Sequence, residues 1–313
     1  MENGLVSIVI LNWNGIEDTI ECLESLAQLT YPAVQTIVVD NGSKGDQAKQ
    51  IADKFPDVVV LPQKENLGFC GGCNVGIKHA IENGANYVML LNNDTLVPPD
   101  LIEKLLDGVE GISDVGAFSP VILEYPNNEK IWYSNARWIP AEAQFRLTRP
   151  DQNYSDLGNK APFATEFACG CCLMVSTEVL KKVGLLDERY FAFYEEAAWC
   201  AKARRLGLQS YVIPSAVMYH KVSKSTPQLV STYLLTRNRL LWMKENLPLG
   251  TRAVSYIYLL KEFLWHLFNL LGLTKNHYSK RHSRALLHGY KDYFRGRFHK
   301  WSASAETVII PNS

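Results

Sequence analysis

The chain has 313 residues, 47% of them hydrophobic, so it can bury a large core and is not a disordered protein. Its 32 lysine and arginine residues balance 32 aspartate and glutamate residues, and a formal net charge of zero argues against a general nucleic-acid-binding protein. Seven cysteines, an odd number, suit reduced thiols better than a disulfide framework, and no signal-peptide pattern precedes the first apolar run. The composition therefore predicts a cytoplasmic globular protein with no nucleic-acid partner.

Apolar runs of strand length alternate with helical patterns over residues 5–120. The strand-like runs are 5–11, 36–43, 58–62 and 87–94. Strands separated by segments of helical length predict an α/β fold with a mostly parallel sheet flanked by helices. A glycine cluster at 68–76 predicts a loop that precedes a further helix.

The second half of the chain has a different pattern. Residues 121–165 are rich in proline, asparagine and aromatic residues, which predicts a long irregular or hairpin region that could line a binding groove. Short strands and helices return over 166–222, and the chain beyond about residue 228 has helical patterns. We therefore expect a C-terminal helical extension.

Polar side chains stand at the carboxyl ends of three predicted strands. They are Asn12 and Asn14, Asp40 and Asn41, and Asn92, Asn93 and Asp94. A single aspartate at a strand end is usually a turn former or a helix cap, but sheets of this kind bind ligands beyond the carboxyl ends of their strands. Three strand ends that share the pattern therefore predict a common site.

Asp94 and His220 are candidate ligands for a hard divalent cation, because each ends an apolar run. Mg²⁺ or Mn²⁺ prefers oxygen donors and keeps open positions for phosphate oxygens. His220 taken singly is more often a structural histidine. Glu195 and Glu196 open a predicted helix, and such a pair taken singly is more often a solvated helix start.

Six sequence motifs occur in an order that is typical of one enzyme family. They are SIVILNWNG (7–15), VVDNGS (38–43), ENLGFCGGCNVGI (65–77), LLNNDT (90–95), GLLDERYFAFYEE (184–196) and VMYHK (217–221). With these motifs, most of residues 5–245 resembles glycosyltransferase family 2, and in particular its rhamnosyltransferase-like branch. The resemblance implies a GT-A (Rossmann-like) catalytic domain over residues 1–228, with a nucleotide-sugar half to about residue 120 and an acceptor half from about 121, followed by the helical extension 229–313.

The same resemblance implies roles for individual residues. Asp40 matches the residue that hydrogen-bonds the nucleobase, Asp94 matches the last position of the metal-binding DxD-type motif, and His220 matches a further metal or diphosphate contact. Glu196, with Glu195 beside it, matches the catalytic base. The candidate nucleotide-sugar ligands are Asn12, Asn14, Asp40, Asn66, Gly68, Gly71, Asn74, Asn92, Asn93 and Arg237. For Arg237, a solvated helix face is an equally good interpretation.

The reaction that the resemblance implies is one in-line displacement with inversion at the sugar, assisted by Mg²⁺ or Mn²⁺. The donor would be a nucleotide-diphosphate sugar, with dTDP-rhamnose favoured over a UDP-sugar. The acceptor would be a glycan or a lipid-linked glycan in surface polysaccharide synthesis.

Three positions depart from the family pattern. Asn92 replaces the first aspartate of the DxD-type motif, and Glu196 stands where aspartate is usual. Ala198 stands where an E-D-x-D pattern has its second carboxylate, which fits an engineered inactive variant, a weakened enzyme or ordinary divergence. The alternative function is therefore a degenerate relative that binds a nucleotide-sugar or a glycan without turnover.

The segment 253–300 is a candidate contact surface. Its first 21 residues are about long enough to span a bilayer, but Lys261, Glu262 and His266 near their middle make a spanning helix unfavourable. Residues 275–300 hold eight lysine and arginine residues against one acidic residue, Asp292. An apolar helix followed by a basic helix predicts either peripheral contact with the cytoplasmic face of a membrane or packing against the catalytic domain or a second subunit of a homodimer.

Overall fold

The computed structural model describes residues 4–147, 152–158, 161–222, 227–274 and 279–310. Twelve strands and ten α-helices lie in these ranges. In chain order they are β1 (Val6–Asn12), α1 (Ile16–Leu26), β2 (Val34–Asp40), α2 (Gln47–Lys54), β3 (Val59–Pro62), α3 (Gly68–Glu82), β4 (Tyr87–Asn92), β5 (Thr95–Leu96), α4 (Leu101–Val109), β6 (Val115–Glu124), β7 (Ile131–Tyr133), β8 (Ala136–Ile139), β9 (Gln144–Leu147), β10 (Phe163–Thr165), β11 (Cys172–Ser176), α5 (Thr177–Val183), α6 (Glu195–Arg205), β12 (Gln209–His220), α7 (Gln228–Asn246), α8 (Leu249–Leu270), α9 (Lys280–Phe294) and α10 (Ala303–Ile309).

One sheet of ten strands has the order β10-β12-β6-β11-β4-β1-β2-β3, with β5 paired to β12 and β7 paired to β6. The four strands β4, β1, β2 and β3 are parallel, as the alternating sequence pattern predicts. β11 is antiparallel to both β4 and β6, so the sheet as a whole is mixed. The predicted α/β class and the C-terminal helices are confirmed, and the predicted hairpin region contains the antiparallel pair β6 and β7.

The glycine cluster lies in a helix and not in the loop that the sequence predicts, because α3 already begins at Gly68. A Cβ atom at Gly72 would lie 2.2 Å from Leu11 Cδ1, and one at Gly76 would lie 2.3 Å from Val9 Cγ1. The absence of side chains at these positions lets α3 pack closely on the buried strand β1. Tertiary packing thus outweighs the weak helix propensity of glycine.

The chain divides into two compact units. The first comprises Met1–Arg137, Leu147–Leu186 and Trp199–Ser223, and the second comprises Trp138–Arg146, Asp187–Ala198 and Lys224–Ser313. The ten-stranded sheet belongs to the first unit. The second unit differs from the predicted extension, which begins at residue 229, in that it also takes in two earlier segments of the chain.

The core of the second unit forms where α7, α9 and α10 pack together. Its buried residues are Phe191, Val230, Tyr233, Leu234, Ala285, Ala305 and Ile309. Asp292 is buried at this core and accepts hydrogen bonds from Tyr233 Oη at 2.8 Å and from Ser302 Oγ at 2.6 Å. None of the helices in the described part of the chain combines the length and the apolar character that crossing a bilayer needs.

Candidate active site

Asn12 and Asp40 lie side by side at the carboxyl edge of the sheet, because β1 and β2 pair with these two residues opposite each other. The Asn12 Nδ2 amide donates a hydrogen bond to Asp40 Oδ1 at 2.8 Å, and Asn12 Oδ1 accepts one from Thr19 Oγ1 at 2.8 Å. Asn12, Asp40 and Thr19 are all buried. The contact from Asn12 holds the Asp40 carboxylate in one orientation. A side chain that recognises a ligand by hydrogen bonds needs a fixed orientation of this kind.

A turn at Asn14 joins the loops that follow β1 and β2. Asn14 has a φ of 55°, a left-handed conformation that asparagine adopts more readily than most residues. Its N–H donates to Ser43 Oγ at 2.9 Å, and its Oδ1 accepts from the Lys44 N–H at 2.8 Å. Asn14 therefore shapes the edge of the site by connecting its two loops.

Two asparagines hold the start of α3. Asn66 Oδ1 accepts hydrogen bonds from the Gly68 N–H at 2.7 Å and from Asn41 Nδ2 at 3.1 Å. Asn41 Oδ1 in turn accepts from the Leu67 N–H at 3.0 Å. At Gly71, a Cβ atom would lie 2.8 Å from Leu67 Cβ, so packing requires the glycine. The strand-end pattern contains Asn41, but that pattern alone does not identify it as the partner of Asn66.

Two predicted nucleotide-sugar ligands use their side-chain amides within the first unit. Asn93 Nδ2 donates to the Gly15 carbonyl at 3.1 Å and to Thr19 Oγ1 at 3.0 Å. Asn74 is buried, where its Nδ2 donates to the Leu186 carbonyl at 2.9 Å and its Oδ1 accepts from the Leu186 N–H at 3.0 Å. These contacts give both asparagines a structural role.

Asp94 and His220 come together because β5 pairs with β12, which places Thr95 opposite His220. His220 Nε2 lies 3.2 Å from Asp94 Oδ1, and both side chains are buried. The His220 ring also packs edge-on against Trp132, with ring centroids 4.6 Å apart. Asn92 ends β4 two residues before Asp94, so the whole LLNNDT motif lies at this edge of the sheet.

The donor atoms of Asp94 and His220 suit a divalent cation. A carboxylate is a hard oxygen donor of the kind that Mg²⁺ and Mn²⁺ prefer, and a neutral imidazole is a common metal ligand in proteins. His220 Nδ1 is buried and has no hydrogen-bond partner. Within the described ranges, no group of three histidine, cysteine, aspartate or glutamate side chains is placed to hold a metal ion. A cation at this pair would therefore take its remaining ligands from a diphosphate or from water.

Glu195 and Glu196 form the first turn of α6, and both belong to the second unit. The Oε2 atom of each glutamate is buried without a hydrogen-bond partner. Burial raises the pKa of both carboxyls, and the charge of Glu196 raises the pKa of Glu195 further. A carboxylate with a raised pKa is a stronger proton acceptor, which is the property of a general base.

The residues just before this glutamate pair have an unusual backbone. Phe191, Phe193 and Tyr194 have φ values of 65°, 70° and 73°, in the left-handed region. Each such conformation costs a residue other than glycine about 1 kcal/mol or more, and it persists only where the surrounding structure holds it. Strained segments of this kind cluster at functional sites.

Arg237 and Asn238 of α7 hold this strained segment. Asn238 Nδ2 donates to three main-chain carbonyl oxygens at 2.7–2.9 Å, those of Tyr190, Ala192 and Phe193. The Arg237 guanidinium donates to the same Tyr190 carbonyl and to two further ones, those of Arg189 and His299, at 2.7–3.3 Å. Both residues are fully buried.

The predicted role of Arg237 as a nucleotide-sugar ligand does not fit this position, and neither does the alternative of a solvated helix face. Its guanidinium has no exposed surface and is hydrogen-bonded to main-chain carbonyls of its own unit. We assign Arg237 a positioning role instead. Asn238 shares that role, because its side-chain amide donates to three main-chain carbonyls of the same segment.

Known glycosyltransferases are similar to this chain in sequence. The sequence model of Glycosyl transferase family 2 matches residues 7–184. The dTDP-rhamnosyl transferase RfbF of Shigella flexneri is 23% identical over 304 residues, which cover 92% of this chain and 96% of that protein. The N-acetylglucosaminyl-diphospho-decaprenol L-rhamnosyltransferase of Mycobacterium tuberculosis is 25% identical over 245 residues, covering 69% of this chain and 76% of that protein.

Solved structures share the fold. The mannosyltransferase PcManGT of Pyrobaculum calidifontis, in complex with GDP-Man and Mn²⁺, superposes with a TM-score of 0.58 at 15% identity, covering 95% of this chain and 89% of that one. This likeness supports the predicted GT-A fold, and the family match spans the first four of the six sequence motifs. The chain therefore belongs to glycosyltransferase family 2 and is similar to that family's rhamnosyltransferases.

Proposed function

We propose that the protein is an inverting glycosyltransferase that depends on Mg²⁺ or Mn²⁺ and transfers L-rhamnose from dTDP-rhamnose to a glycan or a lipid-linked glycan. A UDP-sugar is the alternative donor. The contact between Asp94 and His220 is the observation that carries the proposal, because it places a carboxylate and an imidazole together beside the sheet edge that holds Asp40. Two relatives that are rhamnosyl transferases by name support the choice of sugar. The degenerate, non-catalytic alternative is not favoured.

The nucleotide is proposed to bind at the sheet edge of the first unit. Asp40, oriented by Asn12, would hydrogen-bond the nucleobase. Asn14, Asn66 and the α3 start would surround the nucleotide, where glycines allow close approach of the main chain. Asn92 would lie beside the diphosphate, next to the Asp94 metal ligand. Asn74 and Asn93 would act by supporting this edge.

The chemistry is proposed as a single displacement. Glu196 takes the proton of the acceptor hydroxyl while that oxygen attacks the anomeric carbon and the bond from this carbon to the diphosphate oxygen breaks. The configuration at the anomeric carbon inverts, since the entering oxygen and the leaving diphosphate occupy opposite sides. A divalent cation, when bound, neutralises charge that develops on the leaving diphosphate.

Nucleotide binding tests the donor assignment. Calorimetric titration with Mn²⁺ should give tighter binding of dTDP than of UDP. A chelator should weaken the binding of dTDP, because a cation held by Asp94 and His220 would attract the diphosphate. Incubation with dTDP-rhamnose and a lipid-linked glycan should then release dTDP. Failure of both nucleotides to bind, with and without metal, would contradict the proposed function.

A substitution in α7 tests the positioning role. Asn238→Ala should lower kcat by about 10–100-fold, because the strained segment before Glu195 loses three hydrogen bonds. A small displacement of a catalytic group lowers the reaction rate strongly. The Kd for dTDP should stay unchanged, since the proposed nucleotide ligands belong to the first unit. Steady-state kinetics and calorimetry measure the two quantities.

Asn246→Ala, on the same helix, serves as the matched control, because its Nδ2 donates to the Trp242 carbonyl of its own helix. A loss of kcat in Asn246→Ala as large as that in Asn238→Ala would contradict a specific positioning role. So would a kcat loss in Asn238→Ala that matches the loss of folded protein in circular dichroism.

A further inference from the structure

Helix α8 has an exposed apolar stripe. Of the fifteen large hydrophobic side chains that are exposed in the described part of the chain, ten lie between residues 249 and 273. Six of them recur every three or four residues and are named here the α8 stripe: Val254, Ile257, Leu260, Leu264, Phe268 and Leu271. Ile257 and Leu260 are each 59% exposed, and Phe268 is 45% exposed. Single exposed hydrophobic residues are ordinary, but a contiguous row marks an interaction surface.

The spacing places the stripe on one side of the helix. At 100° per residue, Ile257, Leu264 and Phe268 fall within a sector of about 40°. From Val254 to Leu271 the row covers 17 residue steps, which makes it about 25 Å long at ~1.5 Å per residue. All six side chains fall within a sector of about 120°, so the stripe is an apolar ridge along most of α8.

The opposite side of α8 is already used inside the second unit. Its buried residues are Ser255, Leu259, His266 and Asn269. Asn269 Nδ2 donates to Ser283 Oγ at 2.7 Å, and the Leu259 carbonyl accepts from Tyr290 Oη at 3.1 Å. These contacts fix α8 antiparallel to α9 and leave the stripe on the outer side. They also place the start of α9 beside the end of α8 that carries Phe268 and Leu271.

Exposed positive charge accompanies this ridge on α8, on α9 and in the residues that follow α9. The exposed basic residues of this region are Lys261, Lys280, Arg281, Arg284, Arg295, Arg297 and Lys300. Two acidic residues, Glu262 and Asp292, lie between residues 249 and 300, and both have partners. Glu262 forms an ion pair with Arg239, and Asp292 is fully buried. The outer side of α8 is thus apolar, and the exposed charges of α8, of α9 and of the residues up to 300 are positive.

We propose that this face docks on the surface of an anionic lipid bilayer, with α8 parallel to the membrane plane and the stripe buried at the headgroup boundary. An amphipathic helix with an apolar row and flanking lysine and arginine binds in this way. Lys261, on the edge of the ridge, can extend its ammonium group to the headgroups. The proposal stands independently of the proposed donor and acceptor, although a lipid-linked acceptor would lie in the same membrane.

A symmetric homodimer through the same face is the competing arrangement. A two-fold axis on the ridge would bring the α8 stripe of one copy onto that of another, but it would also bring the two sets of exposed basic residues together. Like charges at close range oppose such an interface. An anionic bilayer would bury the apolar side chains of the ridge and attract the exposed basic side chains.

Vesicle flotation of the full chain, without nucleotide, tests this proposal. The protein should float with vesicles that mix phosphatidylcholine and phosphatidylglycerol, and not with phosphatidylcholine alone. Raising the salt concentration should weaken the binding, because charges at a surface are screened. The pair Arg281→Glu and Arg284→Glu should lower the partition coefficient about 30-fold, from about 1 kcal/mol for each basic residue removed. Phe268→Glu should lower it by about tenfold or more.

Two matched controls distinguish binding through this face from nonspecific adsorption to vesicles. Leu206→Glu replaces an exposed leucine of the first unit, and Lys181→Glu with Lys182→Glu reverses two exposed charges on α5. Neither should change flotation. The proposal is overturned if the native chain does not float with anionic vesicles at low salt, or if the controls weaken flotation as much as the face variants do. The proposal would also be overturned if the native chain sediments as a dimer, Phe268→Glu sediments as a monomer and the native chain does not bind vesicles. Calorimetry with dTDP tests the proposed function separately.

Discussion

Replacing Glu196 with glutamine should lower kcat for sugar transfer by about 10²–10⁴-fold, the usual contribution of a general base. Glutamine keeps the shape of the side chain but cannot accept the proton of the acceptor hydroxyl. The Kd for dTDP should stay unchanged, because the proposed nucleotide ligands lie elsewhere in the sequence and in the first unit. Release of dTDP from dTDP-rhamnose measures the first quantity, and calorimetry measures the second.

The pH dependence of the native enzyme should report the same group. A base must be unprotonated to act, so kcat/KM should fall as the pH drops through the pKa of the carboxyl. Burial raises the pKa of Glu196, so this acid limb should lie above the ordinary pKa of glutamate, about 4.3. Glu195→Gln removes the neighbouring charge and should move the limb to lower pH, since the two carboxyls titrate as a pair.

Glu188→Gln is the matched control, because Glu188 is an exposed glutamate seven residues before Glu195 in the same unit. Its kcat should equal that of the native enzyme. A large loss of kcat in Glu195→Gln together with full activity in Glu196→Gln would contradict the assignment and make Glu195 the base. Turnover that appears only after Ala198→Asp would contradict the activity of this chain and favour the degenerate alternative.

The parallel half of the sheet could be predicted from the sequence, because strands β1, β2 and β4 are buried on both faces and therefore read as continuous apolar runs. The antiparallel strand β11 could not be placed, since its pairing with β4 and β6 depends on contacts about 80 and 60 residues away in the chain. The start of α3 was predicted incorrectly as a loop. Gly72 and Gly76 favour a loop locally, and only their packing on β1 reveals why a helix forms there.

The candidate site likewise contains some contacts that the sequence predicts and others that it does not. Asn12 and Asp40 end neighbouring parallel strands, and this rule alone predicts that they meet. Asp94 and His220 are far apart in the sequence, but each ends an apolar run, and the family resemblance also implies that both contact the metal or the diphosphate. The position of Arg237 could not be predicted, because an arginine in a helical pattern normally faces solvent. The strained segment that it holds has no sequence signal of its own.

Replacing Asp94 with asparagine should weaken dTDP binding in the presence of Mn²⁺ by about 10–100-fold and lower kcat by at least about 10²-fold, because a cation held at this carboxylate would stabilise charge on the diphosphate. Asparagine keeps the size of the side chain and removes the charge that a cation needs. The Asp94 carbonyl still accepts the hydrogen bond from the Lys221 N–H, so the local backbone should persist. Calorimetry and initial rates measure both effects.

Measuring dTDP binding with and without a chelator is the sharper test, because it distinguishes loss of a metal ligand from a change in the structure of the binding site. Native protein and Asp94→Asn should bind dTDP equally once the metal is removed, since the lost interaction passes through the cation. Asp107 is an exposed aspartate on α4, and Asp107→Asn should bind dTDP as the native protein does, both with Mn²⁺ and with the chelator. If the chelator weakens binding by Asp94→Asn as strongly as it weakens native binding, Asp94 is not the protein ligand of the cation. The proposed site would then move away from the contact between Asp94 and His220.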